Sequence, residues 1–234
     1  SERLPMIQLL ESELNQLELR LSADTQNPMD DFRVLLLYAA RLHLLSYNFL
    51  DNEQIASFQL KRGYIKTYNA SLALLQHCKE SQGRDDTFVN NLPSACILSI
   101  WQASVIIARL VNSCYKSVLD VGAGKELYQS AIALVMKASV MKHDLSYRSC
   151  SIMKSTWNLF RTLDEDESGI LNVNVKSRMA ASIFFDSLWI LREKCGMIRL
   201  RPTKEKNSVS DSVDSDSEVE VIDEETSENE KLEN

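Results

Sequence analysis

Glycine and proline are scarce in this chain, and their scarcity limits the folds that it can adopt. The 234 residues include 6 glycines and 4 prolines, well below the average usage of roughly 7% and 5%. Sandwiches and barrels of β-strands need many turn residues, whereas a bundle of long helices needs few. The composition therefore predicts an all-α protein.

Hydrophobic periodicity supports the same prediction. Apolar residues recur at helical spacing along most of the chain, and no convincing strand interrupts them. Residues 95–111 form the most apolar segment, with Arg109 as the one charge, so we expect a central buried helix there. About seven helices are predicted, over residues 4–22, 28–47, 52–82, 95–111, 126–142, 144–163 and 177–196.

Several residues are predicted to start or end these helices. Asn27 and Pro28 form a cap followed by a first-turn proline, which is a common helix start. Asp144 or Ser146 is expected to cap the sixth helix, and Gly196 to follow the end of the seventh.

The cysteines argue against a metal site in this chain. None of the five lies within ten residues of another, so no Cys-x-x-Cys pair exists. Each has apolar helical surroundings, which predicts reduced, buried thiols. The five are Cys78, Cys96, Cys114, Cys150 and Cys195.

Charge divides the chain into two parts. Residues 207–234 contain eleven Asp or Glu and one Lys, a net charge of −10. The whole chain carries −7, so residues 1–206 carry +3. We therefore predict a helical domain over residues 1–200 and an acidic, disordered tail over residues 201–234.

The tail contains a short interaction segment. Val219, Val221 and Ile222 form a β-prone patch that precedes acidic residues, and it resembles SUMO-binding motifs, which add a strand to a partner's sheet. A tail that only increases solubility is the alternative.

Three motifs imitate functional sites without completing them. Residues 118–124 resemble a cofactor-binding glycine loop but lack the strands of a Rossmann sheet, so we interpret them as an interhelical loop. The run from Asp164 resembles half of a calcium loop, but Val175 replaces the bidentate Glu. The three histidines are scattered, so their spacing indicates neither a metal site nor a catalytic triad. We therefore predict that the chain has no catalytic residues and no metal site and that it is not an enzyme.

Two late segments carry a family resemblance. Residues 139–157 (SVMKHDLSYRSCSIMKSTW) and 177–196 (SRMAASIFFDSLWILREKCG) resemble the regulatory domain of fungal binuclear-zinc-cluster transcription factors, in particular the group around the fungal regulator of leucine biosynthesis. Residues 92–115 and 124–132 match in the same order. The family pattern usually has Asn where this chain has His143.

The resemblance implies a function in transcription. It implies part of a metabolite-responsive regulatory domain of a nuclear, sequence-specific regulator of amino-acid biosynthesis genes, with an acidic activation segment. The implied partners are DNA, the transcription machinery, a small dicarboxylate effector of the isopropylmalate type and a second copy of the chain. Zinc and DNA binding belong to a six-cysteine region expected upstream, because the chain opens on Ser1 without that region. No cofactor is expected within the chain itself.

A dicarboxylate effector requires cationic side chains, and arginine binds carboxylates with two parallel hydrogen bonds. The candidates on the matching helices are Arg109, Arg148, Arg178 and Arg192. Arg109 interrupts an apolar helix and is the most conspicuous, although a buried ion pair explains it equally well. The alternative function is a helical scaffold that senses nothing and docks other proteins through its acidic tail. Neither function requires a membrane, and no transmembrane helix is predicted.

Overall fold

The computed structural model describes residues 3–23, 28–50, 57–165, 173, 175 and 183–195. These residues contain seven α-helices: α1 (Arg3–Ser22), α2 (Asp31–Ser46), α3 (Ser57–Arg84), α4 (Ser94–Val111), α5 (Val121–Lys137), α6 (Leu145–Glu165) and α7 (Ile183–Lys194). Within the described residues, β-structure is limited to an isolated bridge between Leu50 and Val175. The prediction of an all-α fold with about seven helices is confirmed.

Helix α4 lies at the centre of the fold, as residues 95–111 predicted. It packs against α2, α3, α5, α6 and α7, and Val105, Ile106 and Ile107 on it are fully buried. A helix that is apolar on nearly every side is stable in water only when neighbours cover all of its faces. These five helices serve as that cover, and α1 packs against α2.

Helix α4 also has the length and apolar composition of a membrane span. It is the one helix of the described part of the chain that passes this test, and 83% of it is buried inside the fold. Its burial accounts for its hydrophobicity.

Helix α2 begins later than its sequence suggests. Asp30 is its N-cap and accepts a hydrogen bond from the backbone N–H of Arg33 at 2.7 Å. The prediction that Pro28 occupies the first helical position is wrong, and Asn27 lies outside the described residues.

Helix α5 begins earlier than predicted. Its N-cap is Asp120, which accepts from the N–H of Ala123 at 3.0 Å. Gly122 and Gly124 therefore belong to the first turn of the helix, and the prediction of an interhelical loop is wrong. The Tyr68 hydroxyl of α3 donates to the Asp120 carbonyl oxygen at 2.6 Å, which fixes this helix start against the core.

Other local predictions have mixed outcomes. Asp144 precedes α6 and accepts from the N–H of Tyr147 at 2.7 Å, as a cap should, and the helix continues through Asp164 rather than ending near Leu163. The cysteines are all free, but Cys114 and Cys195 are exposed rather than buried. Residues 166–172 of the calcium-like run, Gly196, and the predicted tail with Val219, Val221 and Ile222 lie outside the described residues. Val175, in place of the bidentate Glu, is described and is buried.

Candidate functional site

Arg109 is one member of a buried ion pair. Its guanidinium is 1% exposed and donates to the carboxylate of Asp186 and, at 3.1 Å, to the hydroxyl of Ser187, both on α7. Burial lowers the pKa of Arg109, and the charge of Asp186 opposes that effect. These contacts hold α7 on α4, which is the structural explanation that the sequence offered as the alternative to ligand binding.

The other predicted arginines are not gathered around Arg109 in one described pocket. Arg148 on α6 and Arg192 on α7 are exposed, and Arg178 lies outside the described residues. The role of these four arginines in effector binding stays a prediction.

A different set of cations surrounds a large cleft among the described residues. The cleft has a volume of about 650 Å³ and lies between α5 and α6, beside the end of α4. Ligand sites for small molecules commonly occupy about 300–1,000 Å³. It is lined by Val111, Asn112, Lys116, Val121, Lys125, Tyr128, Gln129, Ile132, Lys154, Trp157, Asn158 and Arg161.

Two helical stripes form the walls of this basic cleft. On α5 the lining residues follow the spacing i, i+3, i+4, i+7, and on α6 they follow the same spacing. Residues at these intervals share one face of a helix, so each wall is a continuous stripe. The α5 stripe is Lys125, Tyr128, Gln129 and Ile132, and the α6 stripe is Lys154, Trp157, Asn158 and Arg161.

Positive charge in the cleft is not balanced from within. The lining residues include no Asp or Glu. Within the described residues, no ion pair involves Lys125, Lys154 or Arg161, and all three are exposed to solvent. The N-terminal turn of α5, which reaches the cleft at Val121, adds the positive end of a helix dipole. The cleft therefore favours anions.

An aromatic pair supports the floor of the cleft. Tyr128 is 2% exposed, and its hydroxyl donates to the carbonyl oxygen of Met153 at 2.6 Å, which ties α5 to α6. Burial raises the pKa of Tyr128, so its phenol stays protonated as this bond requires. The rings of Tyr128 and Trp157 are 4.6 Å apart at 43°, which orients the half-buried indole along the cleft.

The lining residues combine cations with amide and aromatic groups, which suit the binding of an anion. The cleft contains no carboxylate, imidazole or thiol that could act as a general base or nucleophile. Likewise, no group of three or more His, Cys, Asp or Glu in the described part of the chain could hold a metal ion.

The sequence contained a signal for this cleft. Lys154, Trp157 and Arg161 follow helical spacing at the end of segment 139–157 and just beyond it. The spacing alone does not distinguish this stripe from the arginines on the matching helices, which are better carboxylate ligands by residue type. The pairing of this stripe with the Lys125 stripe depends on the packing of α5 on α6, which a sequence does not display.

Comparison with known proteins identifies a relative. No family model matches the chain, and no solved structure matches it. The chain is 38% identical to Regulatory protein LEU3 of Saccharomyces cerevisiae over an alignment 237 positions long. The alignment covers 87% of this chain and 26% of the yeast protein. The chain thus spans about a quarter of the length of this relative. The similarity confirms the resemblance to the leucine-regulator group.

Proposed function

We propose, from the relationship of this chain to Regulatory protein LEU3 of yeast, that it is a metabolite-responsive regulatory region of a sequence-specific fungal transcription regulator. The observation that carries the proposal is the identity of 38% over 87% of the chain. The genes controlled are those of amino-acid biosynthesis, with leucine as the expected pathway. The protein acts in the nucleus and is not an enzyme.

DNA and zinc binding are assigned to a region outside this chain. The described residues offer no metal-binding group, and residues 1–206 carry only +3. A region with six zinc-binding cysteines, as the family resemblance implies, supplies contact with DNA in the parent protein. The parent protein functions as a homodimer.

The effector of this region is a small dicarboxylate. A cleft of about 650 Å³ with cations on both walls supports a sensing function over that of a scaffold that senses nothing. The acidic tail, residues 201–234, is the segment that the effector controls, and it contacts the transcription machinery.

A reporter assay tests this function. We expect a fusion of residues 1–234 to a heterologous DNA-binding domain to increase transcription several-fold in a cell-free system when 2-isopropylmalate is added. A fusion of residues 203–234 alone is the control and should activate equally with and without the compound. If the full fusion also activates equally in both conditions, the chain is a scaffold with an acidic docking tail and the sensing function is wrong.

A further inference from the structure

We infer that the basic cleft between α5 and α6 is the effector site, and that it takes a compact organic dianion with an apolar arm. The inference rests on the proposed function, because that function supplies the reason for a small-molecule site. It assigns binding to Lys125, Lys154 and Arg161, which differ from the four arginines that the sequence suggested.

The number and placement of the cations determine the charge of the ligand. Lys154 and Arg161 lie seven residues apart on α6, which is about 10 Å along a helix axis. Lys125 lies on the opposite wall. Long side chains at these positions converge on a ligand with two anionic groups, one at each end, more readily than on a single charge. A monoanion leaves part of this charge unbalanced.

The uncharged lining residues determine the rest of the ligand. Ile132 and the indole of Trp157 provide apolar surface between the cations, and Tyr128 holds the indole in place. Asn158 and Gln129 offer amides that donate to and accept from polar groups. An aliphatic arm on the dianion buries apolar area against Trp157, which a purely inorganic anion cannot do.

The position of the cleft also connects ligand binding to the fold. Its two walls belong to different helices, and their described cross-connections include the hydrogen bond from Tyr128 to Met153. A dianion that bridges Lys125 on α5 to Lys154 or Arg161 on α6 adds an ionic connection between the same helices. Because the ligand binds the folded state alone, it stabilises the pairing of α5 with α6.

Fluorescence of Trp157 provides a direct binding assay for the full chain. The probes are isopropylsuccinate, succinate, glycerol 3-phosphate, inorganic phosphate and the monoanion 4-methylpentanoate, in a Trp189→Phe background that removes an exposed indole on α7. We expect saturable binding of isopropylsuccinate, and binding of 4-methylpentanoate that is weaker by about tenfold or more. The succinate and glycerol 3-phosphate arms separate a dicarboxylate from a phosphomonoester, and saturable binding of either supports the dianion site. Inorganic phosphate that binds as tightly as isopropylsuccinate would overturn the role of the apolar arm.

Charge-removing variants locate the site. Lys125→Gln, Lys154→Gln and Arg161→Gln are expected to weaken isopropylsuccinate binding by about tenfold each, and Lys154→Arg should retain it. Lys142→Gln is the matched control, because Lys142 is exposed in the turn between the same helices but does not line the cleft. In amide exchange, isopropylsuccinate should slow α5 and α6 in the wild type and not in Arg161→Gln.

The reporter assay and the binding assay test the sensing function and the location of the site separately. If the reporter fusion responds to its effector while the three variants bind and respond like wild type, the region senses a metabolite at another site. If isopropylsuccinate, succinate and glycerol 3-phosphate all fail to bind the full chain, the cleft is not an anion site, whatever the reporter shows.

Discussion

Gly124 lies against Tyr68 of α3, and a β-carbon at this position would overlap the Tyr68 hydroxyl. That hydroxyl donates to the Asp120 carbonyl at the start of α5, so an added methyl group must displace either the tyrosine or the helix. We expect Gly124→Ala to lower the free energy of unfolding by about 1–3 kcal/mol, measured by urea denaturation.

Gly122 in the same turn is the matched control. Its β-carbon would lie 3.4 Å from the Asp120 carboxylate, an ordinary contact, and alanine is the better helix former by about 1 kcal/mol. Gly122→Ala should therefore maintain or raise stability. Equal losses in both variants would mean that any side chain in this turn is harmful and that the Tyr68 contact is not the cause.

His143 has an unusual backbone conformation in the turn before α6. Its φ is 69°, in the left-handed region, and no other described non-glycine residue has a positive φ. Asparagine adopts this conformation with little cost, and histidine is also among the residues found there more often than most. The His of this chain and the Asn that the family resemblance implies are therefore both residues that suit this backbone angle, although the sequence alone does not reveal the angle.

The turn between α5 and α6 depends on one carboxylate. Asp144 accepts from the N–H groups of Tyr147 at 2.7 Å and Val140 at 2.8 Å, and from the Ser139 hydroxyl at 3.0 Å. The bond from the Tyr147 N–H is the largest of the causes that lower the pKa of Asp144 to about 2. Because this folded pKa is below the unfolded value, the carboxylate stabilises the fold above about pH 4.

That stabilisation should disappear as the pH falls from about 4 towards 2, through the folded pKa of Asp144. We expect the thermal midpoint of the wild type to decrease over this interval more steeply than that of Asp144→Asn, which has no carboxylate to protonate. Parallel profiles would show that another group controls acid sensitivity. Lys142→Gln, in the same turn, should follow the wild-type profile.

The ion pair between Arg109 and Asp186 fixes α7 on α4. Removing the carboxylate takes an ionic partner away from a side chain that is 1% exposed, so we expect Asp186→Ala to cost about 3–5 kcal/mol. Arg109→Met in the same background removes the buried charge and should recover part of this loss. Urea denaturation of the two single variants and the double variant completes a double-mutant cycle. Losses of unfolding free energy that simply add in the double variant would contradict a direct pairing.

The helices could be predicted from the sequence because their apolar periodicity is strong, and the ends that were missed have physical causes. Two glycines indicated a loop at residues 122–124, but the Asp120 cap and packing against Tyr68 override their low helix propensity. Pro28 indicated an early start for α2, whereas the side chain that caps the helix is Asp30. Cap geometry depends on side-chain direction, which spacing alone does not determine.

The cleft could be predicted from the sequence only in part, because it forms where two helices meet. Each of its walls is a pattern on a single helix, and both patterns can be seen in the sequence. Their meeting depends on the packing of α5 on α6, with Tyr128 bonded to Met153. Arg109 is conspicuous in the sequence because it is a charge in an apolar helix, but Asp186, with which it pairs, is 77 residues away in the chain.

The distribution of charge also predicts how the chain behaves with DNA. Residues 1–206 carry only +3. The affinity of proteins for DNA comes largely from contacts between cations and phosphates, and the few cations of the cleft supply little of that charge. We expect this chain alone to show no sequence-specific gel shift at physiological salt. A specific shift that persists at high salt would contradict the assignment of DNA binding to a region outside it.

The composition of the acidic tail predicts that it activates transcription. Acidic residues interleaved with Val219, Val221 and Ile222 attract a basic partner at long range and then make brief apolar contacts. We expect residues 203–234, fused to a heterologous DNA-binding domain, to raise reporter transcription modestly, because the tail contains no aromatic residue.

Replacing Val219, Val221 and Ile222 with Ser separates the contribution of apolar contact from that of charge. The substitutions remove the apolar contact while the net charge stays fixed. A lower reporter signal from this variant means that the apolar residues contact the transcription machinery. An unchanged signal would mean that charge alone activates. Activity no greater than that of the bare DNA-binding domain would contradict activation by the tail, and its Val-rich patch would then be better explained as a strand that docks on a SUMO-like sheet edge.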